Sequence, residues 1–128
     1  MRILLAIAFV FVILVVPALA QENTRPACLE DTVAFYNCMK GGTELQRNLA
    51  TTYLLGSIHA LDALELVDVP SSKSMRHLRF EYLDYVEMNA SIHKETPWRG
   101  MAMYLLNTYG DSENTAGLEY AGSIGLLK

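Results

Sequence analysis

The first twenty residues constrain this chain more than any motif in it, because they set both the size of what folds and the chemistry of where it folds. Arg2 supplies a positive charge, residues 3–16 are an unbroken apolar run, and Pro17 is followed by the small-x-small triplet Ala18, Leu19, Ala20 just before Gln21. That order predicts a secretory signal peptide over residues 1–20. The apolar core falls short of the roughly 20 residues that span a bilayer, and no Cys stands at the cut to carry a lipid. The expected product is exported to the periplasm and soluble, with no membrane contact after cleavage. Removing 20 of 128 residues leaves 108, enough for one small domain with a single core. We place that domain at residues 21–110, followed by a tail, 111–128, that the pattern leaves unassigned. Losing Arg2 moves the formal charge from −4 to −5. Such a domain lacks the clustered Lys and Arg that nucleic acid demands.

Export also bears on Cys28 and Cys38, the two cysteines of the chain, since an oxidising compartment favours a disulfide. Leu29, Val33 and Tyr36 between them fall at helical spacing. In one continuous helix, residues ten apart lie about 15 Å apart along the axis, whereas a disulfide needs its α-carbons within about 7 Å. Either the helix is short or bent and the pair closes a small loop, or the thiols stay free or bridge to another chain. The intrachain bridge is the reading we favour.

The rest of the pattern is helical. Gly41 and Gly42 punctuate the end of a short first helix. Thr43 with Gln46 forms a capping-box signature, behind which Leu45, Leu49, Tyr53, Gly56, Ala60, Leu64 and Val67 make one apolar stripe opposite Arg47, Thr51, Asp62 and Glu65. This predicts a long helix that packs through the stripe and stops near Pro70, with Gly56 admitting a neighbouring helix. Ser71 or Ser72 is the expected cap of the next helix, whose stripe is Met75, Leu78, Tyr82 and Val86, widened by Leu83 and Tyr85. Residues 89–95 read as a polar loop. Thr96-Pro97 starts a last helix with Trp98, Met101, Ala102, Leu105 and Tyr109 inward, and Gly110 closes it. The fold class is therefore all-α, a compact bundle of about four helices.

Chemistry-bearing constellations are sparse. His59 with Asp62, and His77 with Glu81, share helical faces but lack the further ligands of a metal motif, and read as solvated surface or local hydrogen bonds. No nucleophile elbow, zinc-protease pair or P-loop occurs. The expectation is a protein with no catalytic residues, no metal and no cofactor, acting by binding.

A resemblance sharpens this. The run Tyr53-Leu54-Leu55-Gly56-Ser57-Ile58-His59-Ala60 resembles the Tyr-x-x-Gly-x-x-Asp-Ala helix of the Rap/Tai immunity proteins, periplasmic antidotes to peptidoglycan amidases delivered by type VI secretion. Val67-Asp68-Val69-Pro70 resembles their Val-Cys-x-Pro turn. Met75 and Leu78 leading to Tyr82-Leu83 are similar to a helix ending in a Tyr-Leu pair, and residues 97–109 to an alanine-rich last helix. The likeness spans about residues 43–110. His59 stands where that family has Asp, and Asp68 and Ala50 stand where it tends to have Cys, so its disulfides do not transfer and Cys28 with Cys38 is the substitute. The resemblance implies a helical, commonly dimeric protein that occludes an amidase cleft, making the cognate toxin the expected partner and a second copy of the chain a further one.

For such a plug the expected partner-binding residues are Asn89, Ser91, His93, Lys94, Glu95, Thr96 and Trp98. Residues 68–74 are the alternative loop. The competing expectation is a small periplasmic chaperone of the acid-stress type, in which protonation of exposed acids uncovers apolar surface.

Overall fold

The computed structural model describes residues 27–127; the signal peptide expected at residues 1–20 lies outside them. Among the described residues there are five α-helices and no strand: α1 (Thr32–Gly41), α2 (Glu44–Ala63), α3 (Met75–Met88), α4 (Pro97–Tyr109) and α5 (Thr115–Ser123). Short 3-10 turns precede α1 (Ala27–Leu29) and follow α3 (Ala90–Ile92). No helix is long and apolar enough to cross a membrane among these residues. The fold is all-α and compact, with five helices rather than four. The fifth lies in the stretch the sequence left unassigned.

Each helix begins at a side chain that accepts from its free backbone N–H groups. Asp31 accepts from Ala34 N at 2.8 Å and opens α1. Thr43 and Gln46 form the reciprocal capping box expected for α2. Thr96 caps α4 with Pro97 in its first turn, and Asn114 caps α5. The cap of α3 is Ser74 instead of Ser71 or Ser72, because Lys73 N donates to Pro70 O and closes a turn there first.

The long helix differs from its predicted form in two ways. It ends at Ala63, well before Pro70, because Glu65 adopts a left-handed conformation (φ 55°). Leu66 N then reaches Leu61 O and Glu65 N reaches Asp62 O, the two bonds of a Schellman stop built without glycine. Its core face is also rotated by about one residue. Ala50, Leu54, Ser57, Ile58 and Leu61 are buried, while Leu45 (78% exposed), Leu49, Gly56, Ala60 and Leu64 (63%) face outward. Nothing packs within 4 Å of Gly56. Residues 48–61 carry two apolar ridges, and periodicity alone cannot choose which one turns inward.

The core joins four helices through a line of rings. Tyr53 of α2 meets Phe35 of α1 (centroids 5.5 Å apart), Phe35 meets Tyr82 of α3 (6.0 Å), and Tyr82 meets Tyr104 of α4 (5.6 Å). Around them lie Met39, Leu78, Val86, Ile92, Met101 and Leu105. Burial in α4 is continuous from Gly100 to Leu106, broader than its predicted stripe; Arg99 and Asn107 of this helix donate to the Ile124, Gly125 and Leu126 carbonyls, which holds the C-terminal residues against it. Trp98, predicted inward, is 41% exposed. Val67 and Gly110 form one isolated antiparallel bridge that ties the α2–α3 connector to the end of α4.

Cys28 and Cys38 form a disulfide with α-carbons 5.8 Å apart. The helical spacing around them is broken by the turn at Ala27–Leu29 and the cap at Asp31, so Cys28 lies off the helix and folds back on it.

Helices α1 and α4 approach closely at Gly100, where a Cβ would lie 2.5 Å from Thr32 Oγ1 and 3.0 Å from its Cγ2. Thr32 is fixed there by bonds from Oγ1 to Glu95 O (2.9 Å) and Thr96 O (3.2 Å). Gly100→Ala is therefore expected to lower stability by about 1–2 kcal/mol despite a better helix propensity. Thermal or urea melts check this. Thr32→Ala is expected to cost less in that background than in the wild type, the signature of two residues in contact.

Candidate functional site

The predicted partner-binding residues occupy the connector between α3 and α4, and the chain holds it in one shape from several sides. Asn89 Nδ2 donates back to Tyr85 O at 2.7 Å. Ile92, fully buried, pins the middle of the connector into the core. The N–H and hydroxyl of Thr32 both donate to Glu95 O. Arg99 pairs with the Glu95 carboxylate at 3.0 Å and also donates to Ile124 O and Gly125 O, linking the connector to the end of α5. What remains outward is Ser91, Lys94, Thr96 and Trp98, with Asn89, His93 and Glu95 half-buried. The expected loop is thus a rigid, mostly polar rim.

The structure does not bring all seven residues onto one surface. His93 Nε2 lies 3.0 Å from Val86 O; a carbonyl only accepts, so this nitrogen carries the proton and leaves Nδ1 as the acceptor in the neutral ring. His93 lines a hollow of about 300 Å³ with Val33, Tyr36, Asn37, Val86 and Glu87. Trp98 instead lines a groove of about 410 Å³ with Leu49, Thr52, Tyr53, Gly56 and Ser57. The two share no lining residue.

Sequence reasoning missed the polar side of the first hollow. Lys40 pairs with Glu87 at 2.6 Å, and the Tyr36 hydroxyl donates to the same carboxylate. The bond from Lys40 draws the Glu87 carboxyl below its ordinary range and raises the ammonium in turn. Both side chains are about half exposed, so the pair orients groups more than it stabilises the fold. Tyr36 and Lys40 lie four apart on α1, a readable spacing. Glu87 is 47 residues away and could not be paired with them from sequence.

The alternative loop, residues 68–74, lies at the opposite end of α3, about 20 Å away along a 14-residue helix. It leads into a different cluster. Glu81 accepts from Lys73, from His77 Nε2 at 3.0 Å, from the Tyr104 hydroxyl at 3.1 Å and from the Tyr109 hydroxyl. Burial alone raises this carboxyl, but the bonds from Lys73, Tyr109 and Tyr104 outweigh it and hold the group down at about 2. Burial pushes the Tyr104 and Tyr109 phenols up, and the carboxylate adds to this. A carboxylate so acidic is a poor general base, and the arrangement clamps α3 to α4. His59 is exposed on α2, and no group of three or more His, Cys, Asp or Glu able to hold a metal ion occurs among the described residues.

Comparison with known proteins yields no relative: no protein-family model, no curated protein and no solved structure matches the chain.

The Glu81 clamp has a defined pH signature. A carboxyl with a lowered folded pKa contributes stability above its ordinary value near 4.5 and loses it as pH falls through about 2. Glu81→Gln is expected to destabilise by about 1–2 kcal/mol at pH 7. The gap to the wild type should close between pH 4.5 and 2, measured by urea titration across that range. A gap that stays constant down to pH 2 contradicts the assignment.

Proposed function

We propose that this chain is a periplasmic immunity protein that binds a peptidoglycan amidase delivered by type VI secretion and occludes its active-site cleft, acting by shape with no chemistry of its own. The observation that carries this reading is the connector at residues 89–96. Thr32 holds its backbone at the Glu95 and Thr96 carbonyls, Ile92 anchors it in the core and Arg99 pairs with the Glu95 carboxylate, while Ser91, Lys94 and Thr96 stay outward. A preordered surface loses little conformational entropy when it docks, and that is where tight occlusion gains its affinity. The sequence resemblance to Rap/Tai immunity proteins supplies the partner class, and the predicted leader supplies the compartment.

The half-buried His93 and the exposed Lys94 are the expected anchors, with Tyr36, Lys40 and Glu87 lining or flanking the hollow beside them. An acid-stress chaperone is the second reading, favoured by the outward apolar ridge of α2. The Glu81 clamp does not serve that reading, since its ionic bonds persist until pH nears 2.

Co-expression with a cognate peptidoglycan amidase is expected to yield a stoichiometric complex at neutral pH and loss of cell-wall hydrolysis. The pair His93→Ala and Lys94→Ala should weaken the complex at least tenfold, roughly 1.4 kcal/mol, without lowering the melting temperature by more than a few degrees. Suppression of aggregation of unrelated proteins at low pH, with no amidase bound at neutral pH, selects the chaperone instead.

A further inference from the structure

Helix α3 sets its charges against its own dipole. Arg76 lies in its first turn and Glu87 in its last, whereas the dipole favours an acid at the N-terminus and a base at the C-terminus. Arg79 follows Arg76 by three residues, so two like charges adjoin on one face and disfavour the helix further. No acid stands three or four residues from either arginine. The position of Glu87 is explained by its pair with Lys40. Among the described residues nothing comparable explains the arginines: no ion pair or hydrogen bond holds either one, and Arg79 Nε is buried without a partner. What both touch is Phe80, whose side chain stays 49% exposed. The guanidinium carbons of Arg76 and Arg79 lie over this ring, 5.9 Å and 5.6 Å from its centroid.

We infer that Arg76, Arg79 and Phe80 form a docking surface for an acidic segment of another protein, in which carboxylates flank an apolar side chain. The chemistry of the three groups selects that partner. A guanidinium lying over a ring keeps its N–H donors in its own plane, where they meet a carboxylate as a fork. The shared ring offers an apolar contact that a bare anion has no group to use. Arg and Phe are also residue types enriched at the centre of protein interfaces. Charge complementarity runs the same way. With 14 acids against 10 bases the chain is acidic, so an acidic partner is repelled over much of the surface and is drawn to uncompensated cations.

A lipid surface fits less well. Asp84 and Glu87 follow Phe80 by four and seven residues on the same face of α3, and both are exposed. A flat anionic bilayer that reached the arginines would meet those carboxylates too, whereas a narrow peptide segment passes them by. Phe80 lies about 14 Å from Asn89 along α3, and the patch shares no residue with the connector at residues 89–96. The inference therefore stands apart from the proposed amidase contact.

The test uses the chain without residues 1–20 and a blocked peptide with glutamates on both sides of a central leucine. Titration at neutral pH to roughly 5 mM, followed by NMR, should shift the amides of residues 76–80 and the Nε–H signals of Arg76 and Arg79, and leave residues 89–96 unmoved. Replacing the glutamates by glutamine should weaken binding about tenfold, and replacing the leucine by glycine about threefold. Arg76→Gln combined with Arg79→Gln should cost about tenfold as well. Arg76→Glu should weaken binding while raising the melting temperature, because an acid is favoured in the first turn; a merely structural arginine would not give that opposite movement. Phe80→Ala, at an exposed position, covers the case in which the arginine variants fold poorly, and should weaken binding about threefold. Absence of any shift at the highest peptide concentration overturns the inference, as do shifts that survive loss of both arginines. Arginine-dependent capture by phosphatidylglycerol vesicles, with no binding of the peptide, assigns the patch to lipid and overturns it equally.

Discussion

Phe35, Tyr82 and Tyr104 are almost wholly buried, and their rings touch in sequence across α1, α3 and α4, with Tyr53 of α2 closing the line at one end. A chain of this size has room for one core, and here that core is organised by edge and tilted ring contacts between four helices. Each such contact adds about 0.5–1.5 kcal/mol beyond the area it buries. Among the described residues the Tyr82 hydroxyl has no hydrogen-bond partner, and burial raises its pKa; an unsatisfied buried hydroxyl is a cost to the fold. At the far end Tyr104 reaches Glu81, so the apolar line ends in an ionic clamp that also holds Tyr109 and Lys73. Apolar contact and clamp act on the same pair of helices, α3 and α4.

That pair then fixes the two connectors flanking α3. The connector after it is seated by Ile92 in the core and by Thr32 of α1 against Glu95. The connector before it is held by the Val67–Gly110 bridge and by Lys73. The rigidity of residues 89–96, on which the proposed docking rests, is therefore inherited from ring packing some distance away. Gly100 is where the inheritance is most exposed. It lets Thr32 come close enough to hold both Glu95 and Thr96 by their carbonyls.

Elements announced by local chemistry were legible in the sequence. The Thr43 and Gln46 box, the Thr96-Pro97 start and the Leu78, Tyr82, Val86 face each rest on interactions within one turn, and each is found where expected. What depended on distant partners was not. The rotation of α2 is decided by whether α1 and α4 meet the Leu54 ridge or the Leu49 ridge, and both ridges are apolar. The stop at Ala63 uses Glu65 where glycine is the readable sign. Helix α5 buries one residue, Ala121, and contains Gly117 and Gly122, so neither a stripe nor propensity marks it. In the candidate site, Ser91 and Lys94 were legible as exposed connector residues. The hollow beside His93 was not, because α1 and α3 build it from opposite ends of the chain.

The bonds that hold this shape share one property. The Cys28–Cys38 bridge does not titrate. In the Glu81 clamp the carboxyl is pulled down to about 2 and its hydrogen bond raises the Lys73 ammonium. Burial moves both phenols in the direction that keeps them protonated. Glu81, Lys73, Tyr104 and Tyr109 therefore keep their charge between mildly acidic and mildly alkaline solution. A protein triggered by pH needs a group that titrates within the working range at the contact to be released. Here the contact between α3 and α4 is built from groups that do not. Such a scaffold suits a binder whose surface must already have its final shape when the partner arrives.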